Sequence, residues 1–145
     1  MRRTVFSLVV GIFIAVLGIV IYAQGKPDEG WKIPKTAATE KNPLPVNDAL
    51  LAAGKKVYTS KCERCHGPKG EGDGVDADTS PGMAERMNLT RADRAAANPE
   101  GVMFYKVWHG KADPRMPAFE DQLSKEQAWA AVAYALTLRK KTEKQ

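Results

Sequence analysis

The run Cys62-Glu63-Arg64-Cys65-His66 constrains this chain more than any other stretch. In an exported protein, C-x-x-C-H is the spacing of c-type haem attachment. Two thiols can add to the two vinyl groups of a haem. Two intervening residues let one turn of chain place both sulfurs on one edge of the ring. The next residue, His66, then lies under the iron and can offer an imidazole nitrogen as an axial ligand. The chain has two cysteines and two histidines in all, so neither thiol has another disulfide partner. A zinc site would want four ligands, and only His109 remains to help complete one. A dithiol redox pair would sit near a βαβ pattern, and none is visible. The expectation is one covalent haem c, joined at Cys62 and Cys65 and ligated by His66.

At 145 residues the prior is a single domain. The stretch from about Asn47 to Lys140 buries only a modest core by itself, and the apolar face of a haem would enlarge it. The three Trp, four Tyr and four Phe are enough to wall one cofactor. The formal net charge is +5. Arg2 and Arg3 account for two of those charges, and two ionised haem carboxylates would offset two more. The basic balance therefore does not point to nucleic acid. Lys55, Lys56, Lys61, Lys69, Lys106 and Lys111 can form a local basic surface for an acidic redox partner, or simply a solvated face.

Ahead of that domain, Arg2 and Arg3 precede an uncharged run from Val5 to Tyr22. As a helix it would be about 27 Å long, close to the hydrocarbon thickness of a bilayer. A signal peptide is the competing reading, although its apolar region is usually shorter and Ile21 makes Ile21-Tyr22-Ala23 a poor cleavage site. An uncleaved anchor is preferred, with Arg2 and Arg3 on the cytoplasmic side and the remainder exported. Gln24 to Pro45 is polar, contains Pro27, Pro34, Pro43 and Pro45, and reads as an extended linker. Trp31 and Ile33 stand out within it, and can dock on the domain, lie at the membrane interface, or sit in a loose arm. The expected division is 1–23 transmembrane anchor or signal peptide, 24–46 Pro-containing linker, and 47–145 haem domain.

Within the domain, Asn47 can cap a helix that begins at Asp48 and carries Leu50, Leu51, Gly54, Val57 and Tyr58 on one face as it runs into Cys62. Gly70, Gly72 and Gly74 imply a tight loop. Asp76 and Asp78 do not complete a calcium loop and read as solvated. Asp76 to Arg94 is poorly patterned, and part of it must cover one edge of a cofactor. Asn98-Pro99-Glu100 is a helix start, with Asn98 as cap. Val102 to Trp108 is a short apolar helix that Gly110 can end. Phe104 and Trp108 share a face, where they can pack on the haem or in the core. Ser124-x-x-Gln127 is a capping box, and Trp129, Val132, Ala133 and Leu136 follow at helical spacing.

About the last hundred residues resemble the cytochrome c family. The resemblance is carried by Cys62 to His66, by Gly54 and Tyr58 in the first helix, by Gly72-Asp73-Gly74, by Asn88-Leu89-Thr90, by Met116-Pro117-Ala118-Phe119 with Leu123, and by the Trp129–Tyr134 helix. It implies that the first helix crosses the last at Gly54, with Tyr134 close to the haem side. It implies that the carbonyl at Pro68 accepts a hydrogen bond from the second ring nitrogen of His66. It also implies that Met116, fifty residues after His66, is the second axial ligand. His109 is the main rival for that position; Met83 and Met87 are further candidates in principle.

The reading is an all-α protein: a small cytochrome c fold around one covalently bound haem, preceded by a hydrophobic helix and linker. The expected function is single-electron transfer between respiratory or dehydrogenase complexes, with His/Met axial ligation and no enzymatic activity of its own. The expected location is a bacterial inner membrane with the haem domain in the periplasm, or the soluble periplasm after cleavage near Ala23. Two alternatives stand beside it: a haem subunit of a larger oxidoreductase complex, and a haem enzyme or gas sensor with an open iron site.

Overall fold

Asn47 starts the first long helix, and the reason is local. Its side-chain oxygen accepts the Leu50 N–H at 2.9 Å, which satisfies one of the first-turn donors that a helix leaves unpaired. The computed structural model describes residues 30–78, 80, 82–112 and 116–142. The apolar run Val5 to Tyr22 lies outside the described residues. Among those described, no helix is long and apolar enough to cross a membrane.

Helix α1 spans Asp48–Lys61. At its end the Cys62 N–H donates to the Tyr58 carbonyl at 2.8 Å, and the chain turns directly into the single-turn helix α2, Glu63–His66. Two more short helices follow the glycine-rich loop: α3, Met83–Met87, and α4, Ala92–Ala95. Helix α5 spans Glu100–His109 and α6 spans Lys125–Thr142. Among the described residues the only extended pairing is an isolated antiparallel bridge between Lys111 and Met116. The fold is thus helical, as the sequence predicts.

Helices α1 and α6 make the principal packing pair, and Gly54 is what lets them touch. A Cβ at Gly54 would lie 2.0 Å from the Ala130 carbonyl oxygen, inside any permissible contact. The crossing buries Tyr58, Trp129 and Val132 almost completely. Helix α5 adds Phe104, which stacks on Trp129 with centroids 4.2 Å apart and on Trp108 at 5.7 Å. Such stacked pairs add stabilisation beyond their buried area. The Ser124 box forms as expected: the Ser124 N–H donates to Gln127 Oε1 at 2.8 Å, and the Gln127 N–H to Ser124 Oγ at 3.2 Å.

Three local expectations change. Asn98 does not cap α5; Pro99 takes that position, and the Asn98 side chain donates to the Arg94 carbonyl at 2.9 Å while accepting from Lys106 Nζ. Lys106 is buried, at 8% exposure, so it cannot belong to a basic docking surface. And where the sequence predicts an extended arm, residues Lys35–Ala38 form a 3-10 turn that packs on α5, with Ala37 at 2% exposure.

Candidate functional site

The end of α1, the body of α5, the middle of α6, the turn α2 and the segments around α3 and Met116 surround a cleft. It has an inner lobe of about 110 Å³ and an outer lobe of about 370 Å³. Trp31, Cys62, His66, Arg86, Arg94 and Met116 border both lobes; Cys65 borders the outer one. Thus the motif residues and Met116 face one space.

Helix α2 positions the motif. Its one turn is closed by the His66 N–H, which donates to the Cys62 carbonyl at 2.9 Å. Both cysteines are free thiols, half-buried. Burial, and after it Cys65, pushes the Cys62 thiol up to about 12. Tyr58 borders the inner lobe with Cys62, its hydroxyl donating to the Gly67 carbonyl at 2.7 Å. Burial and then the Cys62 thiol raise the Tyr58 phenol, so it remains a donor. On the outside, Arg64 binds Asp76 through two hydrogen bonds of 2.6 and 2.9 Å. Asp76 is therefore engaged rather than merely solvated, and it ties the glycine loop to α2.

His66 Nδ1 lies 2.6 Å from the Met87 carbonyl oxygen. A carbonyl can only accept, so the proton sits on Nδ1 and Nε2 keeps a free lone pair. Burial lowers the imidazole's pKa, and the Met87 bond offsets part of that. The result is a neutral, oriented ring of the kind that ligates a metal. The partner is Met87, at the end of α3, and not Pro68. Met87 and Met83 both border the outer lobe.

Met116 is held by backbone. Its N–H donates to the Lys111 carbonyl at 2.8 Å, and its carbonyl accepts the Lys111 N–H at 2.7 Å. His109 is not among the residues bordering either lobe; it is exposed, with Nδ1 3.7 Å from Glu120 Oε2 and its ring against Tyr105. Phe104 and Trp108 belong to the aromatic core, and Tyr134 packs on Tyr58 with centroids 5.4 Å apart. From α6 the cleft is instead lined by Ala131, Val132, Ala135 and Arg139.

The inner lobe combines apolar walls with four cations, Arg86, Arg94, Lys106 and Arg139, and no carboxylate among its described lining. Arg139 donates to the carbonyls of Leu89 and Asn98, each at 2.9 Å. Burial, with Arg139 and Lys111 adding to it, pushes Lys106 down to about 7. Burial desolvates Lys106 and Arg139 in particular, and an anion beside them would be favoured. An apolar disc with two carboxylates at one edge, reachable by two thiols and bracketed by a nitrogen and a thioether, suits this set of groups. Two of these residues had a sequence signal. Arg139 follows Val132 and Ala135 at helical spacing, and Lys106 is a lone charge inside an apolar helix. Trp31 had one too, as an aromatic in a polar arm able to dock on the domain, and it does border the cleft; the Met87 carbonyl had none.

Residues 49–134 match the family described as "Cytochrome C oxidase, cbb3-type, subunit III". The chain is also 34% identical over 88 residues to a cytochrome c6 of Parathermosynechococcus lividus, an alignment covering 61% of this chain and 90% of that protein. The family match spans more than half of the chain, and the cleft carries the attachment motif, so the chain belongs to the cytochrome c family as a class I-type domain with one covalently bound haem c.

Proposed function

We propose that this protein is a single-electron carrier in which Cys62 and Cys65 form the thioether links and His66 and Met116 are the two axial ligands. One observation carries the reading: His66 and Met116 border the same two-lobed cleft as the cysteines, whereas His109 lies outside it. Bound haem supplies a one-electron ferric–ferrous couple. The chain's own residues do the rest. His66, its proton held on Nδ1 by the Met87 carbonyl, offers Nε2. Met116 offers a neutral, soft thioether, which favours the ferrous state relative to a second imidazole. Val107, Val132 and Ala135 line the cleft and would keep water from a bound ring. Held from both sides by these two residues, a bound haem would have no position left for substrate or gas and would supply electron transfer alone.

The haem domain works outside the cytoplasm, held at a bacterial inner membrane by Val5 to Tyr22 as an uncleaved anchor. Its partners are redox proteins, met in part through the lysines that remain at the surface. The family description, a subunit of an oxidase, favours a second arrangement in which the same domain is a fixed haem subunit of a larger complex.

The test uses protein matured with haem-attachment machinery. Its mass should exceed that of the bare chain by one haem, and the ferric form should display the weak near-infrared band of methionine ligation. Met116→Ala should lose that band, bind carbon monoxide once reduced, and drop in potential. His109→Ala should keep the band. The reverse pattern would establish bis-histidine ligation and overturn the Met116 assignment.

A further inference from the structure

We propose that the segment 30–41, N-terminal to the family-matched residues, is a built-in wall of the haem cleft, with Trp31 covering the corner where Lys106 and Lys111 receive the haem carboxylates. This rests on the haem reading above and adds a part that the family match does not contain.

Trp31 borders both lobes of the cleft and is half-buried. Lys106 Nζ lies 5.2 Å from the centre of its ring and Lys111 Nζ 5.7 Å, both within cation–π range. The position of the indole is not an accident of a loose arm, because the residues after it are fastened to α5. Ala37 is buried, and its carbonyl passes so close to Gly101 that a Cβ there would lie 2.3 Å from the oxygen; the Glu40 carbonyl would be at 2.6 Å. Lys41 then pairs with Glu100 at 3.4 Å. Gly101 thus admits the segment's backbone against the first turn of α5, and the segment delivers Trp31 to the cleft.

The location of the ring explains its chemistry. On one side of the lysines is an aromatic face; on the other, Lys106 borders the inner lobe, which has no carboxylate among its described lining, and Lys111 borders the outer lobe. An aromatic cover excludes water, and without water an ion pair between lysine and carboxylate is stronger. Trp31 is therefore a positioning residue: it acts on the cofactor through Lys106 and Lys111. Removing the cover admits water to the carboxylate edge. Water stabilises the more highly charged ferric state, and less well-neutralised carboxylates do the same. Both effects lower the reduction potential.

The experiment compares the full chain with covalent haem against Trp31→Ala, Trp31→Phe, Gly101→Val, Lys106→Met and the Trp31→Ala/Lys106→Met pair. Trp31→Ala should retain one haem and the near-infrared band while its potential shifts negative. Trp31→Phe should recover most of that shift. Gly101→Val should produce the same shift by lifting the segment, and should speed trypsin cleavage after Lys35 and Lys41. The double variant should shift by less than the sum of its parts, since both substitutions act on one corner. Unchanged potentials in both Trp31→Ala and Gly101→Val, or strict additivity with Lys106→Met, would overturn the inference while leaving the carrier intact. Absence of haem or of the band in the parent protein would instead overturn the reading beneath it.

Discussion

At Cys62 the attachment chemistry meets an obstacle that the sequence does not reveal. A thiol reacts as its thiolate, and burial holds the Cys62 thiol up to about 12. At pH 8 its reactive fraction is therefore far below that of a free cysteine near 8.5. In haem-free chain that keeps this fold, iodoacetamide should alkylate Cys62 slowly, and the rate should climb about tenfold per pH unit until the pH nears that value. Peptide mapping after timed alkylation measures this; reaction at the speed of an unstructured thiol at pH 8 would refute it. The neighbouring residues divide by how local their cause is. The attachment motif is legible because its chemistry requires those atoms at that spacing, whereas Met116 stands out only through the family resemblance. The hydrogen bond from His66 goes to a backbone carbonyl, at Met87, and any residue type could provide one. Lys106 looked like surface charge because a sequence does not disclose which face of α5 meets the cleft.

Among the helices, α1 and the start of α6 were legible, since each has a side-chain cap and an apolar stripe; the charged end from Arg139 reads as frayed, yet α6 runs on to Thr142 and Arg139 reaches the cleft. The short helices α3 and α4 were not legible. Four or five residues make too few hydrogen bonds to hold a helix alone, so these turns exist only through what surrounds them. The α1–α6 crossing yields the firmest element-level predictions. Gly54→Val places methyl groups where the Ala130 carbonyl already lies, and the helices must part. We expect a loss of roughly 1–3 kcal/mol or more, the scale of overpacking a tight interior, read as a lowered midpoint in denaturant with haem still attached. Ser124→Ala removes the acceptor for the Gln127 N–H, at 3.2 Å, and a hydroxyl donor to the exposed Glu126 carboxylate, and should cost about 1 kcal/mol. Equal effects from the two substitutions would mean that the crossing is looser than its contacts indicate. The aromatic stack of Phe104 between Trp108 and Trp129 was only half legible. The residues were visible, but their assignment to core rather than to the cleft depends on how α5 is turned.

For the molecule as a whole, the docked arm changes what an anchor would do. If the whole stretch from Gln24 to Pro45 were free, it could reach on the order of 60 Å at about 3.1 Å per residue. The structure lays residues 30–41 against α5, through Ala37 and Gly101 and through Lys41 and Glu100. With Val5 to Tyr22 as the proposed anchor, the chain between membrane and docked segment runs only from Ala23 to Glu29, or roughly 22 Å at full extension. Such a leash confines the haem domain to partners that stand in or on the same membrane, which fits a carrier working between neighbouring complexes or a fixed subunit of one. The protein should stay with membranes through alkaline carbonate, and recovery of soluble chain beginning at Gln24 would refute the anchor. Inserting about twenty Gly/Ser residues after Pro27 should then leave the spectrum and potential unchanged. It should speed electron exchange with a soluble acceptor and slow turnover with the membrane partner, because a longer leash dilutes the local concentration of the domain. Gly101→Val should imitate part of that change by freeing the arm. If the insertion leaves both rates as they were, the short leash is not what sets this protein's choice of partner.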